Sequence, residues 1–220
     1  MARPTNKAGD IALRLLIWLP ILLWAAWQGG WHYTHFFLPL YRAVLSAMLS
    51  GFEIQPFTII RSHEYIIKAD YALPHMMVIG GKVLPHVEGN VRLPLYFVLT
   101  HPVMLAAAAL TWPDLSWRGR GMRLLASLPV LLVLEAIDIP LVMYGTIHSA
   151  VIQAYDPLTY LASKPIDWGE LMEGGGRFAL CIAGMFVAAE LHAMLSRLAL
   201  RKASPIRSLQ EARISPLRQE

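Results

Sequence analysis

The sequence predicts a membrane all-α bundle of four transmembrane helices, with a small extracytoplasmic β-hairpin segment between helices one and two. Three observations predict it. The 220 residues are 56% hydrophobic and only 15% charged, against about 25% charged residues in an ordinary soluble domain. Four apolar stretches each approach the roughly 20 residues that cross a hydrocarbon core. Between the first two of them, the pattern changes to β-branched and aromatic runs punctuated by glycine and proline.

Residues 1–30 hold a short tail with Arg3 and Lys7 and then the first span, about Ile11 to Gln28. Arg14 lies near the inner end, where a long side chain can snorkel to the headgroups. The basic start and apolar middle also fit a signal peptide. Ala25-Ala26-Trp27 is not a small-x-small cleavage site, however, so an uncleaved span is expected. Residues 31–52 are apolar too, but His35, Arg42, Ser46 and Ser50 recur along one helical face. Such a stripe predicts a helix that is interfacial or re-entrant rather than spanning.

Residues 53–92 read as strand. Phe57 to Ile60 and Tyr65 to Ile67 are β-branched and aromatic, with Arg61 to Glu64 as the turn. A second hairpin follows, in which Gly80-Gly81 suits a two-residue turn requiring positive φ. Counting outward places Ile79 opposite Lys82 and His75 opposite His86. Two facing histidines suit metal binding or pH sensing. They are equally an exposed pair in a short Leu-Pro-His repeat. Spacing supplies no third ligand, although Met76 and Met77 add soft sulfur nearby, so no metal and no cofactor are expected.

Residues 93–200 hold spans two to four, about Leu93 to Trp112, Met122 to Tyr144 and Phe178 to Leu200, and residues 201–220 form a basic tail. Charge orients them. Arg118, Arg120 and Arg123 follow the second span, and Arg201, Lys202, Arg207, Arg213 and Arg218 follow the fourth. Gly145 to Glu173 holds Lys164 against Asp156, Asp167, Glu170 and Glu173. With four spans and both termini cytoplasmic, this is the positive-inside distribution. Five spans would put the basic tail outside. The tail suits anionic membrane lipid rather than nucleic acid.

Ionisable groups inside a membrane are costly and tend to face the bundle interior. Glu135 and Asp138, three residues apart in the third span, share a helix face. His101 lies in the second span before Pro102, and Pro140 follows the carboxylates. Glu190 and His192 sit toward the inner end of the fourth span. His101, Glu135 and Asp138 thus form a candidate intramembrane polar cluster with two readings. One is proton relay, cation binding or acid–base chemistry; the other is hydrogen bonding between helices or to a partner subunit. A thiol site of Cys181, Arg177 and His148 is a further reading, because a thiolate needs a cationic neighbour. A lone cysteine in such a helix is also an ordinary packing residue. Ala179, Ala183, Gly184, Ala188 and Ala189 form a small-residue stripe that permits close helix approach.

The run Asn90-Val91-Arg92-Leu93-Pro94-Leu95-Tyr96, leading into the second span and then a short basic loop, resembles the small membrane proteins associated with exosortases, especially the exosortase H-associated family. The plan is similar: an N-terminal helix, an apolar outer stretch, a strand-rich segment, a helical pair and a last helix. The similarity covers about the central half of the chain. It implies a non-catalytic accessory subunit in the cell inner membrane, partnered by a larger integral membrane transpeptidase, and carries over no catalytic residues. Cys181 is not in a Cys-Ser-Gly setting, so the chain does not resemble an exosortase itself. No phosphate-binding glycine loop, cysteine-pair metal motif or Gly-x-Ser-x-Gly motif is present. The competing expectation is a small membrane enzyme or proton-linked factor built on the Glu/Asp/His cluster.

Overall fold

The computed structural model describes residues 7–61, 64–73, 77–79, 82–84, 87–113, 115–155 and 164–214, with 7, 77–79, 82, 84, 152–155, 164–165 and 199–214 given as backbone alone. Its first helix, α1, runs without interruption from Lys7 to Met48, about 63 Å at 1.5 Å per residue. The stretch expected as an interfacial or re-entrant helix over residues 31–52 thus continues the first helix as far as Met48. The polar stripe was read from real periodicity, and His35, Arg42 and Ser50 are exposed. The opposite face decides the outcome: Thr34, Phe37, Leu38, Tyr41, Leu45 and Leu49 are buried. That face packs on protein, so the helix has no need to turn into an interface plane.

It packs mainly on two of the later helices, and its outer end also meets a small antiparallel sheet. β1 (Glu53–Ile54), β2 (Thr58–Arg61), β3 (Tyr65–Leu73) and β6 (Val87–Pro94) form it, while β4 (Met77–Ile79) and β5 (Lys82–Leu84) make a separate hairpin. β3 is central. One edge pairs with β6 from Ile66↔Pro94 to Leu73↔Val87; the other is shared by β2, from Arg61↔Tyr65, and β1, through Glu53↔Ala72. Ile79 faces Lys82 in the hairpin. The Gly80-Gly81 turn, His75 and His86 lie outside the described residues.

Strand period 2 separates the sheet's faces. Ile67, Ala69 and Tyr71 of β3 are buried with Val91 and Leu93 of β6, in one core with Tyr41, Leu45 and Leu49 of α1. Tyr71 faces Gly89 across the strands. A Cβ on Gly89 would lie 2.5 Å from the Tyr71 hydroxyl oxygen, so only glycine leaves room for the ring. Burial raises the Tyr71 phenol pKa above its ordinary value.

β6 runs directly into α2 (Leu95–Thr111). Leu93 and Pro94, expected to open the second span, complete the strand instead, and Pro94 with ψ of 141° is extended. α3 (Trp117–Tyr155) carries the third span, and its helix continues past Gly145 into what charge alone marked as loop. Ile147 and Val151 of this extension join the core under the sheet. A short α4 (Lys164–Leu171) and a π-turn over Met172–Gly176 lead into α5 (Arg177–Ile214). Gly175, with φ of 110°, makes that turn, in a region that strongly favours glycine.

Among the described residues three helical segments, Ala8–Met48, Trp117–Val151 and Ile166–Leu198, are long and apolar enough to cross a membrane; Leu95–Thr111 is apolar but shorter. Leu16, Trp24 and Trp27 of α1, Leu125 and Leu132 of α3, and Phe178 and Phe186 of α5 are exposed. Exposed apolar surface on this scale does not suit water. The protein is thus mostly helical, compatible with a multi-pass membrane protein, with a small sheet at one end.

Candidate functional site

Glu135 and Asp138 sit on one face of α3, three residues apart, and both are fully buried. Each meets groups from other helices. On α1, Tyr33 and Tyr41 are eight residues apart, about 80° round the helix, and so fall within one broad face. The Tyr33 hydroxyl donates to Glu135 Oε1 at 2.8 Å, and the Tyr41 hydroxyl donates to Glu135 Oε2. On α2, His101 is also fully buried, with Nδ1 3.3 Å from Glu135 Oε1. Its Nε2 is 3.4 Å from Asp138 Oδ2, close but not aligned as a hydrogen bond. On α5, Arg177 is the first residue. Its Nε donates to Asp138 Oδ2 at 2.6 Å, and its guanidinium carbon lies 4.3 Å from the centre of the Phe97 ring of α2.

The result is a continuous buried chain, Tyr41–Glu135–His101–Asp138–Arg177, with Tyr33 attached at Glu135. It joins α1, α2, α3 and α5. Two prolines border it. Pro102 and Pro140 lack an N–H, so the carbonyls of Val98 and Ala136 lose their helical donors beside the cluster. Asp138 Oδ1, His101 Nε2 and Arg177 Nη2 are buried without a hydrogen-bond partner. One guanidinium and two carboxylates leave one negative charge over.

The structure thus brings together His101, Glu135 and Asp138, which the sequence marked as a cluster. It adds three residues the sequence reading missed in this role. Tyr33 and Tyr41 sit in the face of α1 opposite the polar stripe, and their spacing of eight was the available signal. Arg177 had been weighed only as a neighbour of Cys181. Cys181 is fully buried one turn further along α5, and Asp138 and Arg177 lie within Coulombic reach of its sulfur. His148 is helical, its ring 5.5 Å from that of Tyr144. It lies about 15 Å beyond Asp138 along α3. Glu190 is exposed and His192 half-buried. The small-residue stripe is used inside the chain: Gly184 and Ala188 are buried, and a Cβ on Gly184 would lie 3.1 Å from Val130 and Leu134 of α3.

Among the described residues, no three His, Cys, Asp or Glu side chains converge as a metal-binding group. An open groove of about 280 Å³ lies between α1, the β2–β3 turn and the start of α2, lined by Trp27, Arg61, Tyr65 and Leu99 among others. None of the buried chain's side chains lines it. Comparison with known proteins returns no matching family model, no matching curated protein and no matching solved structure.

Proposed function

We propose that this chain is a non-catalytic accessory subunit of an inner-membrane protein-sorting or export system, crossing the bilayer four times with both termini in the cytoplasm. The observation that carries the reading is the buried polar chain. Both oxygens of Glu135 and one of Asp138 are engaged in holding α1, α2, α3 and α5 to one another, the use expected of polar side chains between membrane helices. The outer part of α1 and the sheet share one core, which suits a rigid extracytoplasmic surface offered to a larger membrane partner. The resemblance to exosortase-associated proteins supplies the class of that partner.

Element lengths support α2 as the fourth span. From Trp112 to His101 is about 17 Å along the helix, and from Trp112 to Pro94 about 27 Å. A slab of roughly 30 Å hydrocarbon therefore fits between the arginine- and tryptophan-rich end and the sheet, with the polar chain near its middle. Lysines and arginines on the inner side set the orientation.

The test replaces both carboxylates by amides. Glu135→Gln with Asp138→Asn keeps size while removing any titratable proton, and Arg177→Gln goes with them so that no guanidinium is left buried without its counter-charge. This amide variant should insert, co-purify with its partner on gentle detergent extraction and retain most biological function. Glu135→Leu with Asp138→Leu should weaken assembly, each lost interhelical contact costing about 0.6 kcal/mol on average and up to about 1.7. Normal assembly of the amide variant without function would overturn the accessory reading.

The unpaired Asp138 Oδ1 and His101 Nε2 favour one second reading: a proton-linked factor or small membrane enzyme working through His101, Glu135 and Asp138. That outcome of the amide variant is the result it requires.

A further inference from the structure

The end of the bundle away from the sheet gathers arginines and tryptophans. Arg14 of α1 donates through Nη1 to the Trp112 carbonyl oxygen at 3.4 Å. The Arg123 guanidinium lies 4.2 Å from the centre of the Trp112 ring, and that of Arg120 lies 5.0 Å from Trp117. Trp117 in turn meets Trp18 of α1 edge-on at 6.0 Å. Arg14 stands close enough to Arg120 for the two charges to repel.

Arg120 and Arg123 are only 7% and 8% exposed. Even so, Arg120 Nε and Arg123 Nε and Nη1 have no hydrogen-bond partner. Among the described residues no carboxylate pairs with either one. Buried guanidiniums held near a third without an anion are unfavourable on two counts, desolvation and repulsion. An anion with several acceptor oxygens relieves both. Phosphate, like carboxylate, matches the planar donor fork of arginine, and at a membrane surface the lipid headgroups supply it. Tryptophans at this level are the amphipathic rings of a membrane–water boundary. Leu13 and Leu16 of α1 and Leu125 and Leu128 of α3, at the same end of the bundle, are exposed and apolar, a surface on which acyl chains can lie.

We propose that Arg14, Arg120 and Arg123, framed by Trp112 and Trp117, bind the phosphodiester of an anionic membrane phospholipid. The inference rests on the membrane reading and deepens it, turning general lipid contact into a defined site. Basic pockets between membrane helices on the cytoplasmic side are suited to such headgroups. The aromatic faces hold the guanidiniums by cation–π contact and leave their N–H groups for the phosphate oxygens.

The experiment uses the full chain in neutral detergent and follows its melting temperature. Mixed micelles of phosphatidylglycerol, mixed micelles of phosphatidylcholine, and inorganic phosphate alone are the three probes. Phosphatidylglycerol should raise the melting temperature saturably, and the other two should not. Arg14→Gln, at the half-exposed edge, should fold and need about fivefold more phosphatidylglycerol for the same shift. Arg120→Gln with Arg123→Gln should lose the shift. Arg118→Gln, exposed and outside the site, should keep it. If the paired variant does not fold, Arg14→Gln against Arg118→Gln decides. Equal shifts from phosphatidylglycerol and phosphatidylcholine, or an equal loss in Arg14→Gln and Arg118→Gln, overturn the site. An equal shift from inorganic phosphate makes the ligand free phosphate and overturns the lipid assignment. Release of the wild-type chain from membranes by alkaline carbonate overturns the membrane reading itself, and is scored separately.

Discussion

Arg177, the first residue of α5, donates its Nε–H to Asp138 Oδ2 of α3 at 2.6 Å, with the two side chains 4% and 0% exposed. Thirty-nine residues separate them, and the undescribed stretch 156–163 lies between. A buried pair of this kind is costly to break from one side, because the surviving charge has no solvent to receive it. Arg177→Leu should therefore destabilise the protein by about 3–5 kcal/mol. Combining it with Asp138→Leu should recover much of that loss. Unfolding in detergent, arranged as a double-mutant cycle, checks both values. Equal and additive losses would show that the pair is not coupled.

Tyr41 is fully buried and Tyr33 only half-buried, though both donate to Glu135. Tyr41→Phe leaves Glu135 Oε2 without that donor, and a hydrogen bond to a charged group contributes about 1.5–3 kcal/mol. Tyr33→Phe should cost less, because Glu135 Oε1 keeps His101 Nδ1 at 3.3 Å as a partner. Thermal unfolding of the two single variants gives the order, and a larger effect at Tyr33 would contradict it.

Gly89 leaves no room for a side chain under the Tyr71 ring. Gly89→Ala should destabilise the sheet by roughly 1–3 kcal/mol, the usual range for overpacking. Shortening the facing residue with Tyr71→Leu should relieve the clash, making the second change less harmful in the alanine background than alone. Near-ultraviolet circular dichroism of Tyr71 and melting temperatures together follow this. An alanine variant as stable as wild type would mean the ring does not lie over residue 89.

Topology is tested with thiols. Cys181 is fully buried, so the native protein should resist a membrane-impermeant maleimide and react once denatured. In a Cys181→Ser background, Ser116→Cys and Asn90→Cys should be labelled from opposite sides of the membrane. Labelling of both from one side would remove α2 as a span.

Periodicity and composition by themselves determined a good deal. Apolar length marked out the helices. The β-branched runs around Arg61–Glu64 and the Ile79–Lys82 pairing match the observed strands, because strand alternation and turn chemistry are local properties of a few residues. The inventory of ionisable groups within the apolar stretches was equally legible. What covers each face was not. The stripe of His35, Arg42, Ser46 and Ser50 shows that α1 has a polar side. It does not say whether lipid or protein meets the other, and only the packing of α2, α3 and the sheet against it answered that. Tertiary structure likewise decided that Leu93 and Pro94 end a strand, since β3 supplies their ladder partners. It also decided that Tyr33, Tyr41 and Arg177 complete the cluster of His101, Glu135 and Asp138. Those contacts join residues 34 to 102 positions apart. Local sequence states which groups need a partner, because a buried charge cannot go unsatisfied. Which distant group arrives is set by how four helices cross, and that depends on the whole chain at once.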